Sequence, residues 1–265
     1  MSENPSFTIN PDERFEHLLH APIVEAVIEF RARAEASWEE ASLRLGLSEA
    51  ISDYPTQKKI VGGAFTTQFK LRAGVPEAET PSTQHNVGWL GIRAESDDRK
   101  QIAAFTRDGL SFSHLTPYED WDHFQAEALR LWEIHKELAR PSQIQRLGVR
   151  FINRLEVPIV EELDLGDYFN QLGEPPGDFL MAGFLRQDLL VPRGYPYRVN
   201  VIRTLESPTD PTPTKLGLLL DITAFCSEPI DLQMHTITQR LADLHWLKNK
   251  VFFSTLTEKA LDLCR

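Results

Sequence analysis

From Ile23 to Arg33 apolar and charged residues alternate. Val24, Ala26, Ile28, Phe30 and Ala32 fall on one face, and Glu25, Glu29, Arg31 and Arg33 on the other. That period of two predicts a half-buried strand. Ser37-Trp38-Glu39-Glu40 reads as a capping box opening a helix that runs to about Tyr54. Extended segments follow over roughly 59–72, 87–95, 101–107 and 111–115. Gly62-Gly63 reads as a bulge inside the first. Asp108-Gly109 predicts a tight hairpin between the last two, because glycine supplies a positive φ without steric cost. The Pro-, Thr- and Glu-rich stretch from Gly74 to Asn86 reads as a loop. A second helix is expected from Thr116-Pro117, with Trp121, Phe124, Ala128 and Leu131 on one stripe, ending before Pro141.

The order then begins again. Ile144 to Val157 reads as a long strand, and a short helix is expected near 165–172. Strands are expected near 179–191, 197–206 and 215–226, with the proline-rich loop Glu206–Thr214 between the last two. Met234, Ile237, Leu241, Leu244 and Val251 recur at helical spacing, and a short last helix opens at Thr255-Leu256-Thr257-Glu258. The chain therefore reads as α+β, in two tandem β-α-β(3-4)-α pseudo-repeats, 1–140 and 141–265, packed as one cooperative unit. Two such halves make curved antiparallel sheet covered by long helices, a topology similar to the TATA-binding-protein-like and helix-grip folds. That likeness concerns topology and carries no function.

Four stretches carry a resemblance to a family. They are Pro22-Ile23-Val24-Glu25-Ala26-Val27-Ile28-Glu29-Phe30-Arg31, Arg150-Phe151-Ile152-Asn153-Arg154-Leu155, Leu220-Asp221-Ile222, and Leu241 through His245 to Phe252 followed by Thr257. Together they resemble a sporadically distributed, uncharacterised bacterial family of about this length. The N-terminal motif is the most specific of them. The resemblance implies a bacterial cytosolic protein in a mobile or defence-linked setting, and it implies no activity.

Composition narrows the function classes. With 39 acidic against 28 basic residues the net charge is -11, which opposes the counter-ion release that drives duplex binding. No apolar run is long enough to span a bilayer, and no secretory signal opens the chain, so a cytoplasmic location is expected. Cys226 and Cys264 lack a C-x-x-C context and read as reduced structural thiols. No phosphate loop, dinucleotide fingerprint or nucleophile elbow occurs, and no cofactor is expected.

The candidate chemistry is sparse. Arg146, Arg150 and Arg154 share one face of the 144–157 strand, and such a face repels itself unless acids or an anion lie opposite. If the two halves meet through their first strands, Glu25 and Glu29 face Arg150 and Arg154 as a charge ladder. Otherwise the arginines form an anion pocket with Asn153. Asp221, alone in the apolar run Leu218–Thr223, is expected to pair with Arg203 on the neighbouring strand. Glu25, Glu29 or Asp221 as an acid/base pair is the enzymatic alternative.

Among the histidines, His123 and Glu127 read as a surface pair and His135 as a satisfied core residue. His235 and His245, ten apart, sit roughly 80° out of register on a helix, so no metal site is expected. Trp89 reads as an exposed interface anchor beside the loop. The leading expectation is a non-enzymatic binding protein, antitoxin-, immunity- or defence-associated, with a protein partner. Behind it stand a small anionic ligand and a homodimer, and neither membrane nor duplex nucleic acid is expected.

Overall fold

A computed structural model of the chain describes residues 7–66, 69–72, 75–78, 83–159, 163–172, 183–206 and 215–265; within 63–87 only the backbone is described. Eleven strands and three long helices follow in the order β1 (Ile23–Arg31), α1 (Glu40–Ala50), β2 (Thr56–Thr66), β3 (Phe69–Arg72), β4 (Val75–Ala78), β5 (Thr83–Glu95), β6 (Gln101–Thr106), β7 (Gly109–Leu115) and α2 (Trp121–Ala139). The chain continues through β8 (Arg146–Pro158), β9 (Leu185–Leu190), β10 (Tyr197–Leu205), β11 (Lys215–Cys226), α3 (Met234–Thr255) and a short α4 (Glu258–Asp262), with a 3-10 turn at Leu165–Asp167.

Nine of the strands form one antiparallel sheet in the order β2-β5-β6-β7-β1-β8-β11-β10-β9; β3 and β4 pair separately. Both halves are wired alike. The first strand of each lies at the middle of the sheet beside the last strand of its own half, and the two first strands pair with each other. Ala26 lies opposite Phe151 and Ile28 opposite Val149 along that central seam.

Alternation decides which face is covered. Ala26, Ile28 and Phe30 of β1, Leu147, Val149 and Phe151 of β8, and Leu218, Leu220 and Ile222 of β11 are all buried. They point under α2 and α3, whose apolar stripes pack on them; α1 packs over β5. A single cluster of buried side chains runs through both halves. On α2 the stripe is Phe124, Ala128, Leu131, Trp132, His135 and Ala139. On α3 it is Ile237, Leu241, Leu244, Leu247, Lys248 and Phe252, while Met234 at the first turn is exposed.

The Asp108-Gly109 hairpin forms as expected, joining β6 to β7, and the pairing of β2 with β5 shifts register at Gly62–Gly63. Gly109 has φ +141, and a Cβ there would lie 1.9 Å from the Phe30 carbonyl oxygen, so no larger residue fits.

Several boundaries differ from expectation. Helix α1 starts at Glu40 with Glu39 at its N-cap and no side-chain cap; the Ser37 hydroxyl donates to the Glu39 carboxylate and does not accept from a first-turn N–H. Helix α2 starts at Trp121, where Asp120 accepts from the His123 backbone N–H at 2.8 Å, so Pro117 precedes the helix. Thr257, not Thr255, caps α4. The stretch read as a loop over 74–86 holds β4 and the start of β5, with 79–82 outside the described residues. Much of the expected 206–214 loop and residues 179–182 also lie outside them.

Candidate functional site

The second face of the sheet has no helix on it among the described residues. Adjacent strands place their outward residues in rows. One row runs Gln187, Ile202, Asp221, Ile152, Glu25, Leu115. The next runs Leu189, Asn200, Thr223, Arg150, Val27, Ser113, Ile102. A third runs Arg198, Phe225, Gly148, Glu29, Ser111, Ala104. Arginine–carboxylate pairs and half-buried apolar side chains therefore share this face.

The three β8 arginines stand together here, as their parity predicts, but their partners differ from expectation. Arg150 grips Asp221 with both nitrogens of one edge, Nε to Oδ1 at 2.9 Å and Nη2 to Oδ2 at 2.6 Å. Arg154 donates to Glu206 and Glu156, each at 2.7 Å. Arg146 takes Glu29, which also accepts from Arg31 at 3.0 Å. Register explains the change. Glu25 lies opposite Ile152 and Glu29 opposite Gly148, so Arg150 faces Val27, between the two glutamates. Asp221 lies opposite Ile152, one position along from Arg150, and its carboxylate reaches that guanidinium. The bidentate bond to Asp221 holds the Arg150 guanidinium above its ordinary pKa, with a smaller contribution from the Glu25 charge. Glu25 thus remains on this face as the acid nearest Arg150 after Asp221.

Two expected partners lie on the wrong side of the sheet. Asn153 follows Arg150 by three, so it points to the covered face. There it is 1% exposed and donates from Nδ2 to the Leu220 carbonyl at 2.9 Å. It is a strand-to-strand clamp, not a member of an arginine pocket. Arg203 lies opposite Leu220, while Asp221 is opposite Ile202. Successive residues point to opposite faces, so Arg203 cannot reach Asp221.

The three β8 arginines are accordingly tied into pairs with carboxylates of this face. Replacing Arg150 by alanine is expected to cost about 1 kcal/mol, because its side chain is 47% exposed and water screens such pairs. In a double-mutant cycle with Asp221→Asn, most of that loss should vanish. A single-variant loss above about 3 kcal/mol would mean that the pair is dry.

Other polar groups gather on the covered side. Burial pushes the His135 imidazole down to about 4, so the ring is neutral. It sits among Trp132, Trp38 and Phe105, and the Ala32 backbone is its polar neighbour. Trp89 is half-buried and stacks on Trp38 at 6.4 Å rather than standing free as an anchor. His123 pairs with Asp120 at 2.6 Å, and Glu127 with Arg130 at 2.7 Å, not with each other. Glu119, Asp120 and His123 come within 4.8 Å of one another, but all three are exposed and Asp120 is already the cap of α2. Cys226 and Cys264 are buried and free, and burial raises both thiols.

The burial of two charged groups departs from expectation. Lys248 of α3 is 7% exposed and holds its ammonium 3.8 Å above the Phe151 ring, beside His245, which stacks flat on Trp121 at 4.1 Å. The signal was available, since a lysine four residues after Leu244 lies on the apolar stripe. Arg203, 5% exposed, is the second; it shares the inward parity of Tyr197, Val199 and Val201. A charge at an apolar parity position marked both.

No protein-family model matches the chain, and no curated protein or solved structure does either.

Proposed function

We propose that the chain is a non-enzymatic binding protein of the bacterial cytosol whose helix-free sheet face takes a protein partner, in an antitoxin-, immunity- or defence-associated role. One observation carries the reading. Each β8 arginine is already met by a carboxylate, so its charge is answered within the chain and does not call for an anionic ligand. Val27, Ile102, Ile152, Leu219 and Phe225 lie half-buried among those pairs. Arginine with apolar neighbours is the composition of protein interfaces. Acids interleave with the three β8 arginines, which disfavours phosphate backbones. With no convergent acid pair beside a cavity, the acid/base alternative through Glu25, Glu29 or Asp221 finds no support.

The mirrored wiring of the sheet also supports reading the two halves as tandem repeats of the TATA-binding-protein-like or helix-grip-like kind. On that reading a protein partner spans the seam between β1 and β8.

A photo-reactive residue placed at Val27 or Ile202 in the full chain, expressed in a bacterial host of its own genome, tests this. A discrete adduct of one mass is expected from both positions. None is expected from Leu45 on the exposed side of α1, and Ile152→Arg should abolish the adducts. Equal labelling from Leu45, or none from the sheet positions, would refute the reading.

A further inference from the structure

On the covered side, at the far end of the sheet from β2, the outer strands and the last turn of α3 enclose a cavity of about 150 Å³. Its walls are Arg186, Asp188 and Leu190 of β9, Val201 and Arg203 of β10, Asn170 and Gln171, and Val251, Ser254 and Thr255 of α3. We propose that it binds a small carboxylate with a compact apolar tail. This site is separate from the sheet face described above and stands or falls independently of it.

Arg203 carries the argument. Its Nη2 donates to Asp188 at 2.5 Å and its Nη1 to the Asn170 carbonyl at 3.0 Å. Its Nε–H is buried and has no acceptor among the described residues. A buried charged donor left unmet is costly, so native structures supply an acceptor from protein, water or ligand. Asp188 meets Arg203 through Nη2 and not through Nε, and it serves a second guanidinium as well. Arg186 donates to it from Nε at 2.9 Å and to the Gln171 carbonyl from Nη1 at 2.7 Å. Two cations against one carboxylate leave the cavity one positive charge in excess, in a chain whose net charge is -11. Arg186 is partly exposed while Arg203 is not, so the unmet charge lies inward.

The frame of the site is fixed. Asn170 Nδ2 donates to the Ser254 and Leu256 carbonyls, and its backbone N–H to the Thr255 carbonyl, which ties the 170–171 turn to the end of α3. Gln171 is held at φ +59, a left-handed conformation that side chains other than glycine seldom adopt. Such outliers persist where the surroundings over-determine them, and they gather at binding sites. The rest of the wall is mixed, with Leu190, Val201 and Val251 supplying an aliphatic patch beside Ser254 and Thr255. A one-water cavity needs roughly 10–15 Å³ on the same measure, so this space takes a molecule of several heavy atoms. One positive charge selects a monoanion, guanidinium nitrogens suit a carboxylate, and the aliphatic patch suits a short hydrocarbon tail.

Calorimetric titration of the full chain with 4-methylpentanoate, inorganic phosphate and 4-methylpentanol separates charge from tail. The carboxylate should bind, with the alcohol and phosphate at least tenfold weaker. Arg203→Met should abolish binding. Because that variant alters a buried position, Arg186→Gln at the partly exposed wall gives a second reading, with affinity falling about tenfold and the fold intact. Phosphate binding in place of the carboxylate would overturn the ligand class. Equal binding of alcohol and carboxylate, no binding of any probe, or an Arg186→Gln variant that binds the carboxylate unchanged would overturn the site.

Discussion

Phe151→Ala should destabilise the fold by about 3–5 kcal/mol, the range for emptying a large aromatic site in a packed core. The ring is fully buried at the centre of the sheet, between Ala26 of β1 and Ile222 of β11. It is met from α2 by Trp121 and Phe124, from the turn before α2 by Tyr118 at 5.6 Å, and from α3 by His245. Rings from both halves converge on it, so the void cannot be closed by moving one helix alone. The same truncation removes the face over which the Lys248 ammonium sits. Phe225→Ala is the control. That ring lies on the open face beneath Arg146, half-buried, and its loss should cost about 1 kcal/mol. Urea unfolding of both variants decides the matter, and a Phe151→Ala loss below about 1.5 kcal/mol would show that the seam is not shared core.

Lys248→Met is expected to stabilise the protein at pH 6, and the gain should shrink as pH rises toward 10. Burial pushes the Lys248 amine down to about 7, from about 10.4 in an unfolded chain. Between those values the unfolded chain holds a proton that the folded chain lacks, so wild-type stability rises with pH across that window. Below pH 7 both states are protonated and the burial cost is present in full, on the order of 4 kcal/mol. Methionine removes that cost while still packing on the Phe151 ring, so the expected gain at pH 6 is a few kcal/mol, up to about 4. His245 does not confuse the measurement, because burial holds it neutral down to about 2. Unfolding curves at pH 6 and 9.5 supply the check, and a gain equal at both values would mean that the ammonium is solvated after all.

Much of the fold was legible because it rests on local chemistry. Alternation over Ile23–Arg33 identifies β1 and its inward face, and Asp108-Gly109 marks its hairpin without any tertiary information. The three arginines of β8 announced a need for acids by parity alone. Which acids answer was not legible. Parity assigns a face, but register assigns a neighbour, and register along the β1–β8 seam links residues more than a hundred positions apart. A shift of one position is why Arg203 leaves Asp221, whereas parity alone already set Asn153, three residues after Arg150, on the opposite face. The Arg203 cavity needs three segments distant in sequence, β9–β10, the turn at Asn170 and the end of α3. The only local hint was a charge where the pattern asks for an apolar residue.

The wiring of the sheet also bears on how the chain leaves the ribosome. Strand β1 is made before its partners yet belongs at the middle, and its nearest partner, Gly109 of β7 opposite Arg31, lies 78 residues later. At translation speeds of about 5–20 residues per second, β1 waits roughly 5–20 s with its apolar side unmatched. Glu25, Glu29 and Arg31 on its other side then have a task before any pairing is complete. Charges at three of the four outward positions from Glu25 to Arg31, with Val27 as the exception, make a bare strand a poor template for a second nascent chain. Neutralising Glu25 and Glu29 together would therefore be felt first as aggregation during synthesis, in a protein whose finished fold is little altered.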